Sequence, residues 1–382
     1  MKKKILILPA EYPTNDNPLG GIFTKDQTNM FANNGYDVTV FYNYFISLKK
    51  LKFSNLGNFF ITNKIKKFKN TIEITNYLFS TYFHFLKLKL DYYLTKKFIN
   101  SYILKKGKPD LIICHFAFPT GNTAKKIFEE YNIPYIIVEH STGYFTGVYN
   151  HYQIKVIKSA LNYSTSVVAV SSFLKKKLMK MTTTKISTIG NIVEKNFFLN
   201  RKKNIFKKKK IFLIISELVK KKQIMKLVKI FKELRDENIK FKLNIIGTGP
   251  EYKNIIDYIK LNNLEKNITI MGVKNKKQIS KMLDKTDNLI SCSKVETFGI
   301  TIAESIAKGV PPIVLNSGGP TDFINLSNSY PVNSFNELKN KIKSVIEKPR
   351  SFNKKKMNNF IFNKFSEKAL IKKYNMLIKE II

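Results

Sequence analysis

The chain has 382 residues and a formal net charge of +40, from 67 Lys and Arg against 27 Asp and Glu. With 43% hydrophobic and 25% charged residues it is not a disordered chain, and it is long enough for two sizeable cores. The excess is almost all lysine. Arginine occurs only at Arg201, Arg235 and Arg350, and arginine is the planar fork that reads bases and phosphates, so the charge argues against specific nucleic-acid recognition. An AT-rich codon bias accounts for the lysines as well as a function does. The charge still has a physical consequence, because each lysine near an anionic membrane contributes about 1 kcal/mol, so peripheral membrane binding is expected. Cys114 and Cys292 end apolar runs and read as buried thiols in a reducing compartment, with no metal-ligand pattern.

In chain order, Lys2–Lys4 followed by Ile5–Leu8 imitates a signal peptide, but Pro9 and Glu11 cut the apolar run short, so a first strand is the reading. No run of about 20 apolar residues occurs, so no transmembrane helix is expected. Pro18-Leu19-Gly20-Gly21-Ile22-Phe23 then leads into a helix over Phe23–Asn34. Glycines there permit close backbone approach to a ligand, and the helix start offers N–H groups. A strand is expected at Val38–Tyr42. Lys49–Lys69 is a basic run carrying Phe53, Phe59, Phe60, Ile65 and Phe68. Leu78–Leu104 reads as one long helix, with Phe79, Tyr82, Phe83, Leu86, Leu90, Tyr93 and Leu94 along one face and Lys87, Lys89, Lys96 and Lys97 beside them. Such a basic amphipathic segment, within 46–107, either lies on a membrane surface or packs on the sheet as an ordinary helix.

Strands follow at Leu111–Cys114, Tyr135–Val138 and Ser166–Val170, with a helix over Thr123–Tyr131 between the first two. Strands alternating with helices imply a parallel sheet, whose ligands bind at the strands' C-terminal ends. His115 stands at such an end, before Phe116-Ala117-Phe118-Pro119-Thr120-Gly121, where it can donate to a ligand hydroxyl or offer its backbone carbonyl to positive charge. Glu139-His140-Ser141 follows the next strand. A Lys/Asn-rich stretch from Glu194 to Lys210 reads as a linker, so domains are expected at 1–195 and 211–360 with 196–210 between them.

The second half repeats the alternation, with strands at Ile211–Ile215, Phe241–Ile246, Ile268–Met271, Asn288–Ser291 and Pro312–Leu315. Ser216-Glu217-Leu218-Val219-Lys220-Lys221-Lys222-Gln223 follows the first, Gly247-Thr248-Gly249-Pro250 the second and Gly272 the third. Between Lys294 and Asp322 the chain reads K-V-E-T-F-G-I-T-I-A-E-S-I-A-K-G-V-P-P-I-V-L-N-S-G-G-P-T-D. Glu296 falls in a loop before a helix, and Glu304 falls inside that helix about two turns on.

That segment resembles the E-x7-E signature of the retaining family four (group one) glycosyltransferases, and T-F-G, A-E-S, the G-V-P turn and S-G-G-P agree as well. The resemblance covers nearly the whole chain, most strongly 211–324 and least 43–107. It implies a GT-B fold: α/β, two Rossmann-like domains with parallel sheets facing a cleft, and a terminal segment 361–382 whose helix, Ala369–Ile382, crosses back to the first domain. It implies transfer of a sugar from a nucleotide diphosphate donor, expected to be a UDP-sugar, with retention. Glu296, His115 and Lys222 would be catalytic. Glu304 would hold the ribose. Thr297, Phe298, Gly299, Ile300, Ser216, Gly247, Gly249 and Gly272 would complete the donor site, and Gly20, Gly21 and His140 the acceptor and phosphate loop.

No cofactor and no metal are implied. The G-G-I-F loop, the H-F-A-F-P-T-G segment and the E-H-S turn resemble enzymes of bacterial surface-polysaccharide assembly (capsule, exopolysaccharide or lipopolysaccharide). A lipid-linked or growing glycan acceptor is therefore expected, at the inner face of the cytoplasmic membrane. One position departs from the pattern: Glu217 stands where the family's diphosphate-clamping arginine belongs. Either it turns away, or Lys220 and Lys221 compensate, or the site is impaired and the protein is a sugar-binding relative or has other GT-B chemistry. A nucleic-acid-binding protein is the remote alternative.

Overall fold

Two runs set the frame of the first half. Leu111–His115 and Tyr135–Glu139 are buried at every position, as strands covered on both faces must be. The computed structural model describes residues 2–15, 17–46, 62–68, 70–79, 84–198 and 209–382. The chain divides into two units, one of 1–192 with 370–382 and one of 193–369.

Unit 1 contains β1 (Lys4–Pro9), α1 (Ile22–Asn33), β2 (Asp37–Ile46), β3 (Thr62–Phe68), β4 (Thr71–Phe79), α2 (His84–Lys106), β5 (Leu111–His115), α3 (Asn122–Tyr131) and β6 (Tyr135–Glu139). It continues with α4 (Gly143–Thr146), α5 (His151–Tyr163), β7 (Ser166–Ala169), α6 (Ser172–Leu178) and β8 (Ile186–Thr188). The strands form one sheet in the order β3-β4-β2-β1-β5-β6-β7-β8, parallel except for the β3–β4 hairpin. Helix starts are fixed locally. Asn150 accepts from the Gln153 N–H at 2.9 Å while Gln153 accepts from the Asn150 N–H at 3.0 Å, a reciprocal cap at the head of α5.

The region 62–106 differs from the expected single helix. Leu78 and Phe79 end strand β4, and the helix begins only at His84. Within the expected basic run, 62–68 is strand β3; Phe53, Phe59 and Phe60, with Tyr82 and Phe83, lie outside the described residues. The buried stripe of α2 is Leu88, Asp91, Thr95, Ile99 and Tyr102, whereas Leu86 and Tyr93 are exposed. The stripe contains polar residues because they are partnered. Asp91 accepts from Asn43 Nδ2 at 2.9 Å and from the Thr123 hydroxyl, and Asn76 donates to Asn43 at 2.7 Å. A buried polar group is tolerated when it is hydrogen-bonded in this way.

Unit 2 contains β9 (Lys210–Ile215), α7 (Ile224–Asp236), β10 (Phe241–Ile246), α8 (Tyr252–Leu261), β11 (Ile268–Ile270), α9 (Lys276–Asp284) and β12 (Asn288–Ser291). Then come α10 (Ile300–Ala307), β13 (Ile313–Leu315), β14 (Tyr330–Val332), α11 (Phe335–Glu347), α12 (Lys354–Phe365) and the start of α13 (Glu367–Lys379). Its strands form a parallel sheet in the order β11-β10-β9-β12-β13-β14. Glu194–Phe198, expected at the head of a linker, pack onto this unit: Phe197 is fully buried and Glu194 pairs with Lys276 at 2.9 Å. The rest of α13 belongs to unit 1, where Tyr374 lies edge-on to Phe31 at 5.2 Å.

Candidate active site

In unit 2 the candidate residues gather at the C-terminal ends of the strands. Lys222 follows β9 in a tight turn over Lys220–Lys222, and Glu296 follows the neighbouring strand β12. The two side chains form an ion pair, each about 17% exposed, and Ser293, which sequence reasoning did not single out, donates to the same carboxylate oxygen at 2.8 Å. Backbone bonds fix Glu296. The Glu296 N–H donates to Ser317 O at 2.8 Å, and the Gly319 N–H to Glu296 O at 2.8 Å. Gln223 Nε2 donates to Cys292 O at 3.0 Å, which ties the lysine turn to the end of β12.

Helix α10 begins at Gly299, in the left-handed region at φ 84°, and no side chain caps it. Its first N–H groups have no helical acceptor and carry partial positive charge, as an anion site requires. Ile300 opens the helix and buried Glu304 lies within it. Phe298 contributes backbone alone, since its ring is buried between Phe323 at 5.3 Å and Phe365 at 5.0 Å; Thr297 is buried beside it.

The backbone beside Gly247 and Gly249 requires glycine at both positions. A Cβ on Gly247, at φ 143°, would stand 1.8 Å from Ser216 O, and one on Gly249 would stand 2.5 Å from Leu218 O. The close approach is backbone on backbone, and it holds the Ser216–Leu218 loop in place. Gly272, whose carbonyl accepts the Gly247 N–H at 3.0 Å, has open space around its Cα. Glu217, the departure from pattern, is exposed. Both thiols are buried and free, and burial pushes Cys292 up to about 12.

Unit 1 carries a second cluster. His115 ends β5, His140 follows β6, and His115 Nδ1 lies 3.0 Å from His140 Nε2. Both rings are buried, with Phe23 of α1 at 4.3 Å from the His140 ring and Phe116 at 5.5 Å. Burial holds His115 down at about 3 and His140 well below the usual range, so the pair is neutral at pH 7. The His115 carbonyl, considered above as a partner for positive charge, accepts the Thr120 hydroxyl at 2.7 Å. Phe116 has φ 73°, an unusual backbone for a non-glycine residue.

Glu139 organises both loops. Its buried carboxylate accepts the N–H of Ala117 at 2.8 Å, of His140 at 2.9 Å and of Ser141 at 2.8 Å, and the Tyr144 hydroxyl at 2.7 Å. Burial pushes it up, and these four donors oppose the shift. Gly20 and Gly21 precede α1, and a Cβ on Gly21 would meet Glu11 O at 2.1 Å.

Two family models match in succession, Glycosyltransferase Family 4 over residues 21–197 and Glycosyl transferases group 1 over 196–365. The chain belongs to the group 1 glycosyltransferases. It is similar to a putative teichuronic acid biosynthesis glycosyltransferase of Bacillus subtilis, at 25% identity over 83% of this chain and 82% of that one. In fold it is similar to sucrose-phosphate synthase from Thermosynechococcus elongatus, with TM-score 0.79 and 17% identity over 99% of each chain. It is likewise similar to the Anabaena protein HepE in complex with UDP and glucose, with TM-score 0.73 and 14% identity over 99% of this chain and 100% of that one. The fold is therefore GT-B. Among the described residues no helix is long and apolar enough to cross a membrane.

Proposed function

We propose that this glycosyltransferase moves a hexosyl or related sugar from a UDP-sugar to a lipid-linked or growing glycan, with retention of anomeric configuration, in the assembly of a bacterial surface polysaccharide. The observation that carries the reading is the Lys222–Glu296 pair in unit 2, bound to Ser293 and followed by the uncapped start of α10. In the proposed reaction the donor diphosphate takes Lys222 and the N–H groups at Gly299 and Ile300, while Glu296 turns to the sugar hydroxyls and Glu304 holds the ribose. The glycosidic C–O bond to the diphosphate breaks, leaving an oxocarbenium-like sugar. The acceptor hydroxyl adds on the same face and a donor phosphate oxygen receives its proton. Catalysis is then mainly electrostatic stabilisation of the departing diphosphate.

The neutral His115–His140 pair and Glu139 act as positioning groups for the loops after β5 and β6. The similarity to a protein solved with UDP and glucose supports the choice of nucleotide, and that to the Bacillus subtilis protein supports the setting. We assign membrane contact at the inner face of the cytoplasmic membrane to the outer face of α2, where Phe85, Leu86 and Tyr93 are exposed beside Lys89. No metal or cofactor enters this scheme.

Glu217 favours a second reading, a GT-B protein with an impaired donor site. The deciding experiment is product mass and anomeric analysis with UDP-, GDP-, ADP- and CMP-sugars and a lipid-linked acceptor. A retained-anomer product from one donor is the expected result. Binding without transfer or donor cleavage supports the second reading.

A further inference from the structure

The edge of the unit 1 sheet projects beyond its centre. The last register pair between β1 and β2 is Ile7 with Val40, whereas β2 and β4 stay paired through Tyr44 with Tyr77 to Ile46 with Phe79. β1 ends at Pro9, level with Tyr42, so β2 overhangs by four residues, or about 13 Å at the rise of an extended strand. The overhang lies at the C-terminal end of the parallel strands, the end where open α/β sheets bind ligands.

One face of this ribbon carries a row of tyrosines. Tyr12 lies 6.3 Å from Tyr42, Tyr42 lies 5.8 Å from Tyr44, and Tyr44 meets Tyr77 at 5.7 Å with the rings perpendicular. The inner two are buried and the outer two are half-buried. The inner end is anchored beside α1. The Tyr12 hydroxyl donates to Glu73 Oε1 at 2.8 Å, and Lys25 forms an ion pair with the same oxygen. At the outer end Lys64 Nζ lies 5.1 Å from the Tyr77 ring centroid, whereas Lys66 stands toward the inner end, opposite Glu73 in register; both lysines are exposed. By strand alternation Ile65 and Lys67 point to the other face, that of α2.

A perpendicular pair of half-buried rings offers one face and one edge, a corner that fits the apolar C–H face of a pyranose. Lys64 beside Tyr77 adds positive charge. We propose that the β2–β4–β3 ribbon binds a sugar residue of the acceptor that carries a carboxylate or a phosphate. Tyr44 and Tyr77 stack on its ring, and Lys64 holds its charge. The proposal rests on the transferase reading and specifies its acceptor class. Lysines on an edge strand also block edge-to-edge pairing, so the tyrosines decide the test.

Calorimetric titration of the full chain with hexagalacturonate, pentamannose 6-phosphate and neutral cellohexaose tests it. One anionic oligomer is expected to bind at least tenfold more tightly than the neutral one, and which one binds separates carboxylate from phosphate. Tyr44→Ala and Tyr77→Ala are expected to weaken that binding at least tenfold, Lys64→Ala to weaken it for the anionic oligomer alone, and Tyr77→Phe to leave it within about threefold. Melting curves of each variant exclude misfolding as the cause. Absence of saturable binding by both anionic oligomers overturns the proposal, as does binding indifferent to both alanine variants. Loss of binding to phosphatidylglycerol vesicles in the same variants, with oligomer binding unchanged, overturns it in favour of a lipid surface. Titration with UDP on the same preparations reports on the unit 2 site. Normal UDP binding with no oligomer binding sinks this proposal alone, and absent UDP binding counts against the transferase reading while the oligomer arm still decides this one.

Discussion

Lys222 and Glu296 neutralise each other at the ends of two adjacent parallel strands, with the Ser293 hydroxyl on the shared oxygen at 2.8 Å. The lysine is therefore held in place before any phosphate arrives, by a carboxylate that a donor must displace. Lys222→Ala is expected to lower kcat by about 100- to 1,000-fold, the usual loss when one preorganised electrostatic contact to a leaving group is removed. Single-turnover donor cleavage measures it; a loss confined to KM would show that the lysine binds ground state and transition state alike.

Glu304 is buried within α10, so its carboxylate is committed to the interior. Glu304→Gln preserves shape and removes the charge. Donor affinity should fall by roughly 10- to 100-fold, the equivalent of ~1.5–3 kcal/mol for a hydrogen bond to a charged group. Calorimetry with UDP reads the change, and equal UDP affinity in the variant would remove the ribose assignment.

Glu217 is exposed at the edge of the loop that carries the lysines. Glu217→Arg is expected to lower donor KM about tenfold, in keeping with small energies for exposed charges. An unchanged KM would mean that the side chain stays turned away from the phosphates.

Gly247→Ala tests the backbone contact. With Ser216 O 1.8 Å from the added carbon, the loop must shift. The expected cost is about 3 kcal/mol, roughly 6–12 °C of melting temperature for a unit of this size. Thermal unfolding without ligand is the measurement, because the effect precedes any donor.

The histidine pair predicts a pH dependence. His115 is held at about 3 in the folded chain against an ordinary value near 6.5, so below about pH 6.5 the unfolded chain binds a proton that the folded chain refuses. Stability therefore falls as pH drops from about 6.5 toward 3, by up to about 1.4 kcal/mol per pH unit for this group. Asp91 and Glu139, raised by burial, act in the opposite sense at the acid end. The difference between wild type and His115→Gln isolates the histidine, and denaturant unfolding from pH 7 to 5 should show a shallower slope in the variant.

Much of the frame was legible because its signals are local. The Glu296–Glu304 spacing survives in the fold as a loop residue and a helix residue, since a short run of chain needs only one strand end and one helix start to place both. The helix over Leu78–Leu104 failed at its start for an equally physical reason. Thr71–Phe79 alternates with period two, and that strand signal was overrun by aromatic residues that also fit a helical face. The buried face of α2 stayed hidden because Asp91 and Thr95 lie in it, made tolerable by Asn43 and Thr123 from distant positions. Glu139 was visible as a residue beside His140, but its four donors come from two separate loops, which no window of sequence displays.

Residues 370–382 complete unit 1, where Tyr374 sits against Phe31, receives the Gln27 side chain, and is followed by Asn375 accepting from Tyr36 at 2.8 Å. All of unit 2 intervenes in the chain between Ile192 and Leu370. During synthesis the first unit to leave the ribosome is thus the last to be finished, and Phe31 stays without its Tyr374 neighbour until the second unit has been made. A ribosome-bound chain stalled after Ala369 should expose that surface to chaperones and proteases while unit 2 is already protected.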